Sequence, residues 1–165
     1  MTQLEEIAEK SGVDIGVLSL RLEKWGVGEP SEAPINAKKP KAALNDLSGR
    51  LKRAQKILEQ SSVDYEIHSK AICSDFRIII ERLIENDLLS DVVQRFRRSI
   101  ITKNKIHDLA KITANDCQLF DDFMTKYSKY EHSQPPETPV SLPQPEELEE
   151  DIKKVLAWLD EFKKR

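Results

Sequence analysis

Three observations predict an all-α fold for this 165-residue chain. Apolar residues recur at helical spacing in nearly every segment. Glycine occurs only five times, too rarely for a sheet protein with many tight turns, while charged residues make up 33% of the chain, as solvated helix faces require. The eight prolines all fall within 26–40 and 134–145, so the stretches between carry no proline break.

In chain order, residues 2–25 read as one or two short amphipathic helices, an N-terminal helical hairpin in the expected fold. Leu4, Ile7 and Ala8 mark the first, and Val17, Leu18, Leu22 and Trp25 mark the second. Ser11-Gly12 interrupts them, and Gly26, Gly28 and Pro30 end the segment. Residues 26–40 read as a loop. A helix is expected from Pro40 or Lys41 to about Gln60, with a stripe through Ala43, Leu44, Leu47, Leu51, Ala54 and Leu58. Ser61-Ser62 offers a cap for the next helix, about Val63 to Asn86. Its apolar face, widened by Ile80 and Ile84, makes it the central element. A further helix is expected over Leu88–Arg98 and a short one around Lys105–Ala110. Thr113 with Asp116 three residues on resembles a capping box opening a helix to about Tyr130. The proline-rich stretch 134–145 reads as an extended connector. A last helix, Glu146–Lys164, docks through Ile152, Val155, Leu156, Leu159 and Phe162. Its acidic start and basic end both suit the helix dipole. These elements divide into an N-terminal helical segment and linker (1–60), a helical core (61–133) and a connector with a docking helix (134–165).

Composition also limits function. A net charge of −3 does not by itself suggest nucleic acid, although a local basic cluster can still bind phosphate. Cys73 and Cys117 lack the neighbours of a zinc site and read as small, buried thiols. No apolar run approaches a membrane span and the N-terminus does not resemble a signal peptide, so the expected location is cytoplasmic, with no membrane partner. No glycine-rich phosphate loop is present, so ATP hydrolysis is not expected of this chain alone. No cofactor or metal is expected.

One constellation stands out. Arg77 and Glu81 share a face of the most apolar helix at i, i+4. Arginine N-terminal to glutamate is the weaker order for a helix ion pair, and flanking isoleucines make a charged pair costly without further partners. His132, next to the proline-rich exit, has the side-chain type that titrates near neutral pH. Arg95, Arg97, Arg98, Lys103, Lys105 and Lys111 form a locally basic stretch around Phe96, able to track a phosphate backbone.

From about Ile72 onward the chain resembles the C-terminal region of SMC/ABC-like AAA-family ATPases of bacterial defence islands. The segments that carry the resemblance are Ile72–Glu81, Val92–Arg98, Met124–Ser128 leading to Glu131-His132-Ser133, and the Leu-Pro-x-Pro-x-Glu-Leu pattern at Leu142–Leu148. These ATPases are similar to anticodon-nuclease ATPases, whose helical C-terminal domain belongs to the HEPN class. The resemblance implies a HEPN-like helical bundle. It also implies catalytic roles for Arg77, Glu81 and His132, with Arg95, Arg97, Arg98 and Lys126 contacting RNA phosphate. The implied function is an RNA-directed effector of an ATPase-linked defence system, acting as a metal-independent endoribonuclease and toxin. The implied partners are an ATPase subunit or head domain, RNA (tRNA among the candidates) and a second copy of the chain. The alternative expectation is a non-catalytic docking domain or fragment of such an ATPase.

Overall fold

The structure is a computed structural model that describes residues 7–8, 11–14, 19–23, 26–31, 34–95, 98–100, 102–103, 105–130 and 141–165. Four long helices make up its body: α1 (Pro40–Leu58), α2 (Ser62–Leu83), α4 (Ala114–Ser128) and α5 (Pro145–Phe162), with a single turn, α3 (Ile106–Leu109), before α4. The fold is an all-α bundle.

Local chemistry sets the helix starts. Pro40 and Pro145 occupy the first turns of α1 and α5, where a missing N–H costs nothing. The Ser61 hydroxyl accepts from the Asp64 N–H at 3.2 Å and caps α2. At α4 the capping box is complete. Thr113 Oγ1 accepts from the Asp116 N–H at 3.3 Å, and Asp116 Oδ2 accepts from the Thr113 N–H at 2.8 Å. Asp therefore does the work more usual for Glu at this position.

Side-chain stripes then join the helices into a ring. Leu44, Leu47 and Leu51 of α1 and Ile72, Phe76, Ile79, Ile80 and Leu83 of α2 are buried in one core with Leu148, Ile152, Val155 and Leu159 of α5. Phe76 lies at its centre, edge-on to Phe123 at 5.7 Å and to Tyr127 at 4.8 Å, both from α4. Phe120 against Trp158 at 4.6 Å closes the ring between α4 and α5. The core therefore takes residues from all three sequence segments, 1–60, 61–133 and 134–165.

The expected N-terminal helical hairpin is corrected. Residues 7–8 are helical, and Gly12 takes φ +65°, with the Val13 N–H bonded back to the Ala8 carbonyl at 2.9 Å. Residues 19–23 and 26–31, however, form an antiparallel ribbon of β1 (Ser19–Glu23) and β2 (Gly26–Ser31). The physical reason lies in Leu18-Ser19-Leu20-Arg21-Leu22-Glu23, whose strict apolar–polar alternation has the two-residue period of a strand. An extra residue, Gly28, bulges β2 between the Arg21–Glu29 and Leu22–Val27 pairs. The second expected helix and the start of the expected loop are therefore strands.

The helix expected over Leu88–Arg98 is also corrected. Beyond Leu83, α2 widens into a π turn, Ile84–Leu88, in which the Leu89 N–H reaches the Ile84 carbonyl at 2.8 Å. Ser90 and Asp91 then adopt φ +50° and +59° and stop the helix. Described residues from 89 to 100 are turns, bends and irregular chain. Ser and Asp offer side-chain bonds that compete with helix, and Val92-Val93 adds β-branched stiffness. The connector residues 131–140 lie outside the described residues. Its last residues are pinned, because the Tyr65 hydroxyl donates to the Pro143 carbonyl at 2.9 Å and the Tyr130 hydroxyl to the Ser141 carbonyl at 3.5 Å.

Candidate functional site

The π turn and the two left-handed residues after it direct the chain back along α2, which sets up the polar cluster there. Arg77 and Glu81 lie one turn apart on the flank of α2 beside α4. Arg77 Nε donates to Glu81 Oε1 at 3.2 Å, and Arg77 Nη1 donates to the hydroxyl of Ser128 at the end of α4. The other carboxylate oxygen of Glu81 accepts from Arg95 Nη1, while Arg95 Nε donates to Glu85. Glu81 thus holds two guanidinium groups, one on each oxygen, and Ser128 and Glu85 hold their far sides.

Arg77, Glu81 and Glu85 are about one-fifth exposed and Arg95 is about half exposed. The Arg95 pairs, half open to water, contribute little to stability, and the mostly buried Arg77–Glu81 pair offsets its own desolvation, so the network's effect is to fix positions. It is also close to neutral, with two carboxylates for two guanidiniums. Burial alone would lower the Arg95 pKa, but the bonds to Glu81 and Glu85 outweigh it and raise the value above that of free arginine.

The sequence-derived site residues fall in different places. Arg77, Glu81 and Arg95 meet in this cluster. Arg98 is exposed. His132 and Arg97 lie outside the described residues. Lys126 points to the other side of α4, where its ammonium lies 2.5 Å from Glu147 and 2.5 Å from Asp151 of α5. Asp151 also accepts from the Tyr127 hydroxyl at 2.7 Å. Burial opposes the charge on Lys126, but these two carboxylates hold its pKa above the usual lysine value. Burial, with the Asp151 bond second, pushes the Tyr127 hydroxyl well up.

Two members of the cluster escaped sequence reading. Glu85 had a signal, because Glu81 and Glu85 at i, i+4 repel unless a cation bridges them. Ser128 had a weaker one. It flanks the apolar stripe of α4, but nothing local indicates that a residue 51 positions earlier meets it.

A guanidinium fork is the donor geometry that matches a phosphate or carboxylate oxyanion, but Glu81 and Ser128 already take two of the Arg77 N–H groups and Glu81 neutralises its charge. Among the described residues no cluster of His, Cys, Asp and Glu could hold a metal ion, and no helix is long and apolar enough to cross a membrane. No family model, curated protein or solved structure matches this chain.

Proposed function

We propose that the chain is an RNA-directed effector module that works with an ATPase partner and cleaves RNA without a metal. In this reading the ribose 2′-hydroxyl attacks the adjacent phosphorus, the new 2′-O–P bond forms, and the 5′-oxygen leaves. His132 takes the hydroxyl proton and returns one to the leaving oxygen, as an imidazole can. Arg77 stabilises the added negative charge on the phosphorane, and Glu81 with Ser128 holds Arg77 in place. Arg97 and Arg98 position the backbone, and Arg95 joins them only if its bonds to Glu81 and Glu85 open. Lys126, engaged by Glu147 and Asp151, joins them only if those bonds open.

The observation that supports this reading is the meeting of Arg77, Glu81 and Ser128 across two helices. His132 comes four positions after Ser128 in the chain, a span of at most about 14 Å. The test is an RNase assay in excess chelator, with the ATPase partner supplied, comparing wild type and His132→Ala at matched folded concentration. Cleavage by wild type alone is expected. Equal activity in both, or none in either, sinks the reading.

A second reading, a non-catalytic docking domain, has its own support. Glu81 and Glu85 neutralise Arg77 and Arg95, and Val63 and Ile67 on the outer face of α2 are each 66% exposed. Failure of the assay together with co-elution of the chain and the ATPase would favour it.

A further inference from the structure

The helices divide their charge unequally. α1 carries five cations, Lys41, Arg50, Lys52, Arg53 and Lys56, against one acid, Asp46. α5 has the opposite character, opening with Glu146, Glu147, Glu149, Glu150 and Asp151. On α1, Lys41 is tied to Asp160 at 2.6 Å, Arg50 to Asp75, and Asp46 to Lys38 at 3.3 Å. Lys52, Arg53 and Lys56 have no acidic partner among the described residues, and all three are exposed. Their i, i+1, i+4 spacing places them around the outward face, opposite the buried Leu44, Leu47 and Leu51.

The same face holds Gly49, in mid-helix. Packing does not require a glycine there, because an added Cβ would meet only the Arg53 guanidinium, at 3.9 Å. Glycine in a helix interior weakens the helix, and one use that offsets this is close approach of another molecule to the backbone. A bare backbone position ringed by three cations without acidic partners suits a polyanion whose charges repeat along a flexible chain. One edge is closed to such a ligand. Lys52 lines a shallow pocket with Glu146 and Glu149, and Gln55 donates to Glu146 at 3.3 Å. The acidic start of α5 would repel phosphate on that side and leave Arg53 and Lys56 the better placed pair.

We infer that the outward face of α1, centred on Arg53 and Lys56 with Lys52 at its rim, is a second binding surface for the phosphate backbone of single-stranded RNA. The choice of RNA over other polyanions rests on the function proposed above; the surface itself does not. It assigns backbone contact to a helix that the basic stretch 95–98 does not include.

The test is binding rather than cleavage. The full chain is titrated against a fluorescein-labelled twenty-nucleotide oligouridylate in excess chelator, with anisotropy read from 50 to 200 mM salt. Three phosphate contacts predict a slope of log K against log salt near −2, so affinity falls about 15-fold over that range. Arg53→Ala/Lys56→Ala should flatten the slope by about 1.4 and weaken low-salt binding by about tenfold, whereas Lys52→Ala should cost less. Gly49→Ala should raise the melting temperature by a few degrees and weaken RNA binding. Lys153→Ala/Lys154→Ala, which removes lysines paired on α5, should change nothing. Circular dichroism checks that each variant stays folded, as alanine on an exposed helix face allows. Unchanged binding by the Arg53/Lys56 variant, or no binding by wild type, overturns the proposal. Tighter binding to poly-glutamate, or to vesicles with one-third phosphatidylserine, overturns RNA as the occupant. RNA binding without cleavage leaves this surface standing and counts against the nuclease reading alone.

Discussion

Asp116 concentrates more bonds than any other acid described. Beyond the capping box, its carboxylate accepts from Trp158 Nε1 at 2.8 Å and from Arg165 Nη1 at 2.7 Å. Burial alone would raise its pKa, but the bonds from Thr113, Trp158 and Arg165 outweigh that and bring it down to about 2. A carboxylate with a depressed folded pKa contributes stability that is complete above its unfolded value near 4 and is lost as pH falls through about 2. Asp116→Asn should therefore cost about 2 kcal/mol at pH 7 and much less near pH 2, as urea titrations at the two pH values would measure. The cysteines make a second contrast. Burial pushes the Cys73 thiol up to about 12, whereas Cys117 is exposed, against the expectation that both are buried. A thiol reagent should modify one cysteine in the native protein, Cys117, and reach Cys73 only on unfolding. Two titratable equivalents before unfolding would contradict the core around Cys73. At this scale the legible features were those close in sequence: Thr113 with Asp116, and Arg77 with Glu81. The Ser128 contact and the added bonds on Asp116 link residues more than forty positions apart, beyond any local pattern.

Among elements, the end of α2 departs most from sequence expectation. Ser90 and Asp91 hold a backbone conformation that L-residues disfavour. Bonds nearby hold it in place, from the Asp91 N–H to the Glu85 carbonyl at 2.9 Å and from the Lys105 ammonium to the Asp91 carboxylate at 3.4 Å. Ser90→Gly should relieve the strain and stabilise the protein by about 0.5–1 kcal/mol, read as a higher denaturation midpoint with unchanged slope. Destabilisation would mean that the Ser90 side chain does more than occupy the turn. The four long helices were legible because each carries an apolar stripe over at least four turns, bounded by a cap or a proline. The ribbon of β1 and β2 was not, because Val17, Leu18, Leu22 and Trp25 fit a helical stripe while Leu18, Leu20 and Leu22 fit a strand. Over so few residues, periodicity alone does not choose between them.

For the whole molecule, one core shared by α1, α2, α4 and α5 implies one cooperative transition for the bundle. Phe76 is fully buried and touches rings from α4. Phe76→Ala should cost about 3–5 kcal/mol, and fluorescence and circular dichroism should still report the same midpoint. Separate midpoints would mean that α5 and its strap, held by Tyr65 and Tyr130, unfold apart from the rest. Charge patterning at this scale was only partly legible. The net charge of −3 conceals a basic α1 beside an acidic α5, and only their adjacency in the ring shows where one field ends and the other begins.

The π turn at Ile84–Leu88 sets the rotational phase of the chain that follows it. Geometrically it is an α-helix carrying one residue too many. Deleting Asn86 should let the hydrogen bonds shorten to the α pattern and rotate the chain beyond the turn by about 100°, the angular step of one residue. Leu88 would leave the core, and Arg95 would be carried away from Glu81. The deletion variant would keep the Arg77–Glu81 pair but lose the second guanidinium, so one residue in the turn sets whether Glu81 holds one arginine or two.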